Sequence, residues 1–75
     1  MPSTVIRRFA YDPVAATLDV EFVSRRCYRY FGVPEAVASE LAGAFSKGPF
    51  FNARIRDRFR CEELDFEPAD DTWNA

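Results

Sequence analysis

The sequence has 75 residues, of which 48% are hydrophobic and 16% aromatic, and its formal net charge is −2. A chain of this length forms one small domain that buries about 60% of its unfolded surface, so large aromatic residues must supply much of the core. The sequence has no histidine and only two cysteines, Cys27 and Cys61, which excludes a histidine-dependent catalytic triad and an ordinary structural zinc site. We therefore expect a non-catalytic domain without a cofactor or a metal.

The charges are unevenly distributed along the chain. Residues 1–60 contain all ten basic residues and six acidic ones, whereas residues 61–75 contain six acidic residues and no basic one. A basic body with an acidic tail indicates a polyanion partner or a tail that masks the body, although a tail that only maintains solubility fits equally well. No stretch is apolar enough for a signal peptide or a membrane span, which predicts a cytoplasmic protein with reduced thiols.

Three strands are predicted in the first half of the chain. Residues 3–11 form a first strand, in which a bulge at Arg7-Arg8 lets the apolar residues share one face. After a turn at Asp12-Pro13, residues 17–22 alternate between apolar and polar side chains, as in a strand buried on one face. Residues 26–31 form the third strand, and the short loops between the strands predict an antiparallel meander.

Two helices are predicted in the second half. The first spans residues 34–44, with Pro34 in its first turn, and its apolar stripe ends at either Ala44 or Phe45. The second begins at Pro49, with Ser46 or Gly48 near its cap.

The segment after the second helix alternates again from Arg56 to Cys61, which predicts a short fourth strand or an extended arm. The fold class is thus α+β: a three-stranded antiparallel meander, with room for a short fourth strand, packed on one face by two short helices. The domain covers residues 1–64, and the acidic tail 65–75 is expected to be disordered. The predicted core consists of Ile6, Phe9, Tyr11, Leu18, Val20, Phe22, Tyr28, Tyr30, Val33, Val37, Leu41, Phe51, Ile55 and Phe59.

A series of short motifs follows in a fixed order along the chain: Tyr11-Asp12-Pro13, residues 18–22, Tyr28 and Tyr30, Val33-Pro34, Ser46-Lys47-Gly48, Phe51-Asn52 and Ile55-Arg56. This succession resembles the KTSC domain, a small bacterial module found alone and at the C-terminus of some lysyl-tRNA synthetases. The resemblance covers about residues 3–64 and implies a family without a characterised function, for which the attachment to a tRNA-charging enzyme suggests RNA binding. Arg25 departs from the family because many members have a turn glycine there.

The run Tyr28-Arg29-Tyr30 allows two interpretations. On an open sheet face the two tyrosines would stack bases, at about 1–3 kcal/mol per base. In a small domain the same rings are needed in the core, with Arg29 directed to the opposite face and paired with Asp19 or Glu21. We favour the second interpretation, and we treat Tyr28, Tyr30, Ser46, Gly48 and Asn52 as a mainly structural family motif.

The strongest basic cluster follows the second helix. Arg54, Arg56, Arg58 and Arg60, with Lys47 nearby in sequence, can bind phosphates, unless the acidic residues of the tail neutralise them. The segment Ser46-Lys47-Gly48 can also hold a phosphate or be an ordinary turn between helices.

Two functions therefore remain open. The first is RNA binding through phosphate contacts made by Lys47, Arg54, Arg56, Arg58 and Arg29. The alternative is a protein-interaction or self-association module, monomeric or weakly homo-oligomeric, that uses the exposed apolar residues Phe31, Phe45, Phe50 and Trp73.

Overall fold

The protein is described by a computed structural model that covers residues 6–65 and Trp73. Within these residues four strands form one sheet, and two helices lie between the third and fourth strands in the chain. The elements are β1 (Ile6–Asp12), β2 (Thr17–Phe22), β3 (Cys27–Phe31), α1 (Glu35–Gly43), α2 (Lys47–Arg54) and β4 (Cys61–Leu64).

The sheet is antiparallel throughout, in the order β1-β2-β3-β4. The register of β1 against β2 shifts between Ile6 and Arg8, so the predicted bulge is confirmed. Because of this shift, Phe9 and Tyr11 join Ile6 on the face that packs against the helices. The predicted α+β fold class is therefore confirmed, and the fourth strand is present.

The core lies between the helices and one face of the sheet. Every predicted core residue belongs to the hydrophobic cluster, either fully buried or packed against its edge, and Phe50 packs there as well. Phe51 of α2 is central, since its ring contacts Phe22 and Tyr30 edge-on at centroid distances of 5.4 and 5.3 Å. These T-shaped contacts connect α2 to β2 and β3.

The other face of the sheet carries ion pairs in place of an apolar layer. Glu21 is wholly buried there and accepts hydrogen bonds from Arg7, at 3.1 Å, and from Arg8. The guanidinium of Arg8 also lies over the ring of Trp73, 4.9 Å from its centroid. Trp73 therefore contacts the sheet face opposite the helices.

Two details differ from the sequence-based predictions. Ser46 is the residue that precedes α2, and Pro49 is the third helical residue, where its missing N–H removes no hydrogen bond within the helix. The segment after α2 is a turn rather than a strand, and β4 begins only at Cys61. The backbone N–H groups of Arg56 and Arg58 donate to Phe51 and Ile55, and these bonds hold the turn against the end of the helix.

The described helices include none that combines the length and the apolarity needed to cross a membrane. The prediction of a disordered tail concerns residues that, apart from Asp65 and Trp73, lie outside the described part of the chain. The predicted start of the first strand, residues 3–5, lies outside it as well.

Arg25 has a backbone angle that favours glycine, and replacing it by glycine is expected to stabilise the domain. Its φ of 75° lies in the left-handed region, within a turn closed by a 2.8 Å hydrogen bond from its N–H to the carbonyl of Phe22. A side chain there costs about 1–2 kcal/mol, of which the extra freedom of glycine in the unfolded chain offsets part. For Arg25→Gly we expect a net gain of about 0.5–1 kcal/mol in urea unfolding.

The variant Arg25→Ala separates the backbone effect from the charge. It removes the guanidinium but keeps a side chain in the left-handed conformation, so its stability should stay close to that of the wild type. An equal gain from both variants would assign the effect to charge and contradict the backbone explanation.

Candidate nucleic-acid interface

Four cations lie on α2 and on the turn that follows it. Lys47 begins the helix and Arg54 ends it, and their spacing of seven residues places them on the same helix face. Arg56 and Arg58 continue from there in the exposed turn. We call these four residues, Lys47, Arg54, Arg56 and Arg58, the α2 strip.

The start of α2 is positively charged without local compensation. Its first turn contains no acidic residue, and Ser46 makes no capping hydrogen bond through its side chain. Lys47 therefore adds its charge to the positive end of the helix dipole. Its Nζ donates to the carbonyl of Ala44 at 3.3 Å, which holds the ammonium group beside the turn between the helices.

Arg54 is the one member of the α2 strip that has a carboxylate partner among the described residues. Its Nη2 donates to Oε1 of Glu40 at 2.9 Å, and both side chains are half exposed. The guanidinium also lies over the ring of Phe50, 5.3 Å from the centroid. A pair this exposed is screened by salt and can exchange its partner for a phosphate.

The turn after α2 presents Arg56 and Arg58 to solvent. Arg56 donates to the side-chain oxygen of Asn52 at 3.4 Å, a neutral partner. Within the described residues Arg58 contacts no carboxylate. The turn is anchored by the buried Ile55 and reverses at Asp57, whose φ is 63°. Lys47, Arg56 and Arg58 thus keep their charges free of an acidic partner within this part of the chain.

The arginines of the sheet and its borders behave differently, because five of these six have a carboxylate partner among the described residues; the exception is Arg25, in the β2–β3 turn. In four of the pairs the carboxylate lies on a neighbouring strand, so the pairing follows from strand register, whereas the partner of Arg60 lies two residues further along the same segment. The pairs join Arg7 and Arg8 to Glu21, Arg26 to Glu63, Arg29 to Asp19, and Arg60 to Glu62.

Arg29 illustrates this pairing best. Its Nε and Nη2 donate to the two carboxylate oxygens of Asp19 at 2.8 and 3.0 Å. These bonds and the nearby negative charges outweigh the effect of burial and raise the pKa of Arg29. The side chain lies on the sheet face opposite the helices, as expected, and so the structure does not bring Arg29 together with the α2 strip.

An open cavity with a volume of about 450 Å³ lies beside this pair. Part of its lining consists of Thr17, Asp19, Arg29 and Phe31. Arg29 is paired with Asp19 there, and Asp12 adds a second carboxylate to the lining, which leaves little attraction for a phosphate. The ring of Phe31 is already covered by the guanidinium of Arg60, 4.3 Å from its centroid.

Among the family-motif residues, only the two tyrosines contribute to the core; Ser46 and Asn52 are exposed and Gly48 is half-buried. Tyr30 belongs to the buried core cluster and Tyr28 packs against it, as the core interpretation of these rings predicts. Burial raises the pKa of Tyr30, and interactions with Cys61 add to the rise. Ser46 precedes α2, Gly48 lies in its first turn, and Asn52 is exposed on the helix beside Arg56.

Phe45 is the most exposed large apolar side chain of the described chain. It lies in the turn between α1 and α2 and is fully accessible to solvent. The other candidate interaction residues are partly covered: Phe31 by Arg60, Phe50 by Arg54, and Trp73 by Arg8. Sequence reasoning had not separated Phe45 from these three residues.

No cluster of acidic, cysteine or histidine side chains suited to a metal ion occurs among residues 6–65 and Trp73. The two cysteines do not form a disulfide with each other; Cys27 is buried and Cys61 is exposed. The non-catalytic character and the cytoplasmic location stay predictions.

The four-stranded antiparallel sheet with two helices on one face defines a small α+β domain. A family model described as the KTSC domain matches residues 2–59 of the chain. The chain therefore belongs to the KTSC domain family, as its motifs indicated. A crystal structure of a KTSC domain protein from Yersinia pestis is similar, with a TM-score of 0.78, 34% identity and coverage of 85% of this chain and 90% of that one.

Curated relatives include enzymes much longer than this chain. A lysine–tRNA ligase of Nostoc punctiforme is 43% identical over 61 residues, which are 81% of this chain and 11% of the enzyme. The chain thus spans about a tenth of the length of that relative. A protein of Tsukamurella paurometabola is 36% identical over 62 residues and is matched over 92% of its length.

Proposed function

We propose that this domain binds RNA through the α2 strip. The observation that carries the proposal is the contrast between two sets of cations. Five of the six arginines of the sheet and its borders have carboxylate partners, whereas Lys47, Arg56 and Arg58 have none among the described residues. Exposed cations grouped on one helix and its adjoining turn suit a phosphate backbone.

The relatives favour a nucleic acid as the negatively charged ligand of the α2 strip. Lysine–tRNA ligases carry a segment similar to this chain, and a basic module attached to such an enzyme would be well placed to contact its RNA. Trp73 contacts Arg8 on the sheet face opposite the helices, so this contact leaves the α2 strip open. Arg29 is not included because Asp19 engages its guanidinium on that same opposite face.

Replacing the three free cations together is expected to abolish binding. The probe is a fluorescently labelled RNA hairpin with a single-stranded extension, titrated with the full chain at low salt. The wild type should bind with micromolar or weaker affinity, and the logarithm of its association constant should fall with the logarithm of salt concentration with a slope of about −2 to −4. The variant Lys47→Ala/Arg56→Ala/Arg58→Ala should show no binding under the same conditions.

Two matched variants identify the surface. Arg25→Ala removes an exposed arginine from the β2–β3 turn and should leave the affinity nearly unchanged. Glu40→Gln removes the carboxylate partner of Arg54 and should strengthen binding. A wild type that does not bind, or an Arg25→Ala variant that loses as much affinity as Arg58→Ala, would overturn the proposal.

A further inference from the structure

Phe45 is an aromatic side chain with no packing role in the domain. It is fully exposed and does not belong to the core cluster. Isolated apolar residues on a surface are common and need no function by themselves. Phe45 differs from such residues because it lies beside the α2 strip.

The ammonium group of Lys47 is held at the backbone of the turn that contains Phe45. Its 3.3 Å hydrogen bond to the carbonyl of Ala44 ties the lysine to the backbone of the residue that precedes Phe45. A planar ring and a fixed positive charge therefore occupy the same turn. This combination suits a nucleotide, whose base can stack on a ring while its phosphate meets a cation.

The same combination recurs further along α2. The guanidinium of Arg54 lies over the partly buried ring of Phe50. Guanidinium planes and aromatic rings both stack with bases that are not held in a duplex. With eight residues and a rise of about 1.5 Å per residue, α2 is about 12 Å long, so the surface from Phe45 to Arg54 accommodates only a few nucleotides.

Resting on the proposed function, we infer that the RNA bound at the α2 strip is single-stranded and that an unpaired base stacks on Phe45. Bases within a duplex stack on one another and present no face to a protein ring, so among RNA ligands the exposed ring suits an unpaired base. The charge of the surface favours a polyanion over a hydrophobic protein partner.

The test compares Phe45 variants on a short unstructured RNA and on the same RNA annealed to its complement. Phe45→Ala should weaken binding of the single strand about fivefold to a hundredfold, the range expected for loss of one stacked base. Phe45→Trp should retain or improve binding, and Phe45→Leu should behave like alanine. The salt dependence should not change in these variants, because no charge is removed. Val14→Ala, which shortens another exposed apolar side chain, is the matched control and should have no effect.

The outcomes separate this inference from the proposed function. Equal binding of the single strand and the duplex, unaffected by Phe45→Ala but reduced by Lys47→Ala, would overturn the stacking inference and leave RNA binding intact. Absence of binding to either RNA would overturn both. A rise in mass with protein concentration that Phe45→Ala abolishes, seen by analytical ultracentrifugation, would overturn the inference in favour of a contact between two copies of the chain.

Discussion

Replacing Phe51 by alanine is expected to lower the free energy of unfolding by about 3–5 kcal/mol. The side chain is only 1% exposed and fills the space between α2 and the sheet, where it contacts Phe22 and Tyr30 edge-on. Alanine loses the burial of the ring and leaves a cavity that the short helix can close only in part. Because a domain of this length has a total stability of roughly 4–11 kcal/mol, the variant should be close to unfolding.

The measurement is urea unfolding followed by circular dichroism. Phe45→Ala is the matched control, since it removes the same ring from a fully exposed position on the same side of the domain and should change the stability by less than about 0.5 kcal/mol. A small effect for Phe51→Ala, comparable with that control, would contradict the central position of this ring in the core.

Replacing Glu21 by glutamine is expected to destabilise the domain by about 2 kcal/mol. The carboxylate is wholly buried and shared by Arg7 and Arg8, whose side chains are 40% and 21% exposed. Glutamine keeps the size of the side chain but removes the negative charge that Arg7 and Arg8 share. The expected loss is smaller than for a pair buried on both sides, because both arginines still reach solvent.

The effect of Glu21 should depend on pH. Burial alone would raise the pKa of Glu21, but hydrogen bonds and positive charges from Arg8 and Arg7 outweigh it, so the pKa lies below its ordinary value of 4.5. A lowered pKa in the folded state means that the stabilisation is complete above the ordinary value and is lost as pH falls through the folded value. The difference in stability between the wild type and Glu21→Gln should therefore shrink below about pH 4.5.

Unfolding experiments from pH 7 to pH 2 test this dependence. Glu63→Gln is the control, because Glu63 pairs with Arg26 at 3.4 Å on the surface and should contribute less than about 1 kcal/mol. A difference between Glu21→Gln and the wild type that stays constant over this pH range would show that the carboxylate does not titrate as the ion pairs require.

Much of the fold could be predicted because its elements depend on local patterns. The alternation of residues 17–22 identified β2, and the broken alternation before it indicated the bulge in β1. Pro34 indicated where α1 begins, although the residue itself is extended and precedes the helix, which spans Glu35–Gly43 and is one residue shorter at each end than predicted. The prediction of a strand or extended arm was wrong for residues 56–60. Their charges alternate as in a strand, but hydrogen bonds to Phe51 and Ile55 hold part of the segment as a turn.

Less of the candidate site could be predicted from the sequence. The basic residues of the α2 strip could be listed, but which of them are neutralised depends on contacts between distant segments. The pair of Asp19 and Arg29 was foreseeable because neighbouring strands place them opposite each other. The pair of Glu40 and Arg54 was not, since it depends on how α1 and α2 pack.

The outer strand β4 also affects how the protein behaves when it is concentrated. An edge strand offers unpaired backbone groups to a second molecule, which is a common route to fibrils. β4 has only four residues, and Glu62 and Glu63 occupy its centre. Two such edges brought together would place carboxylates side by side, and on the other edge the bulge at Arg7 interrupts the regular row of donors and acceptors. Within the described residues the sheet is thus unpaired at both edges, and both edges carry features that oppose indefinite extension from molecule to molecule.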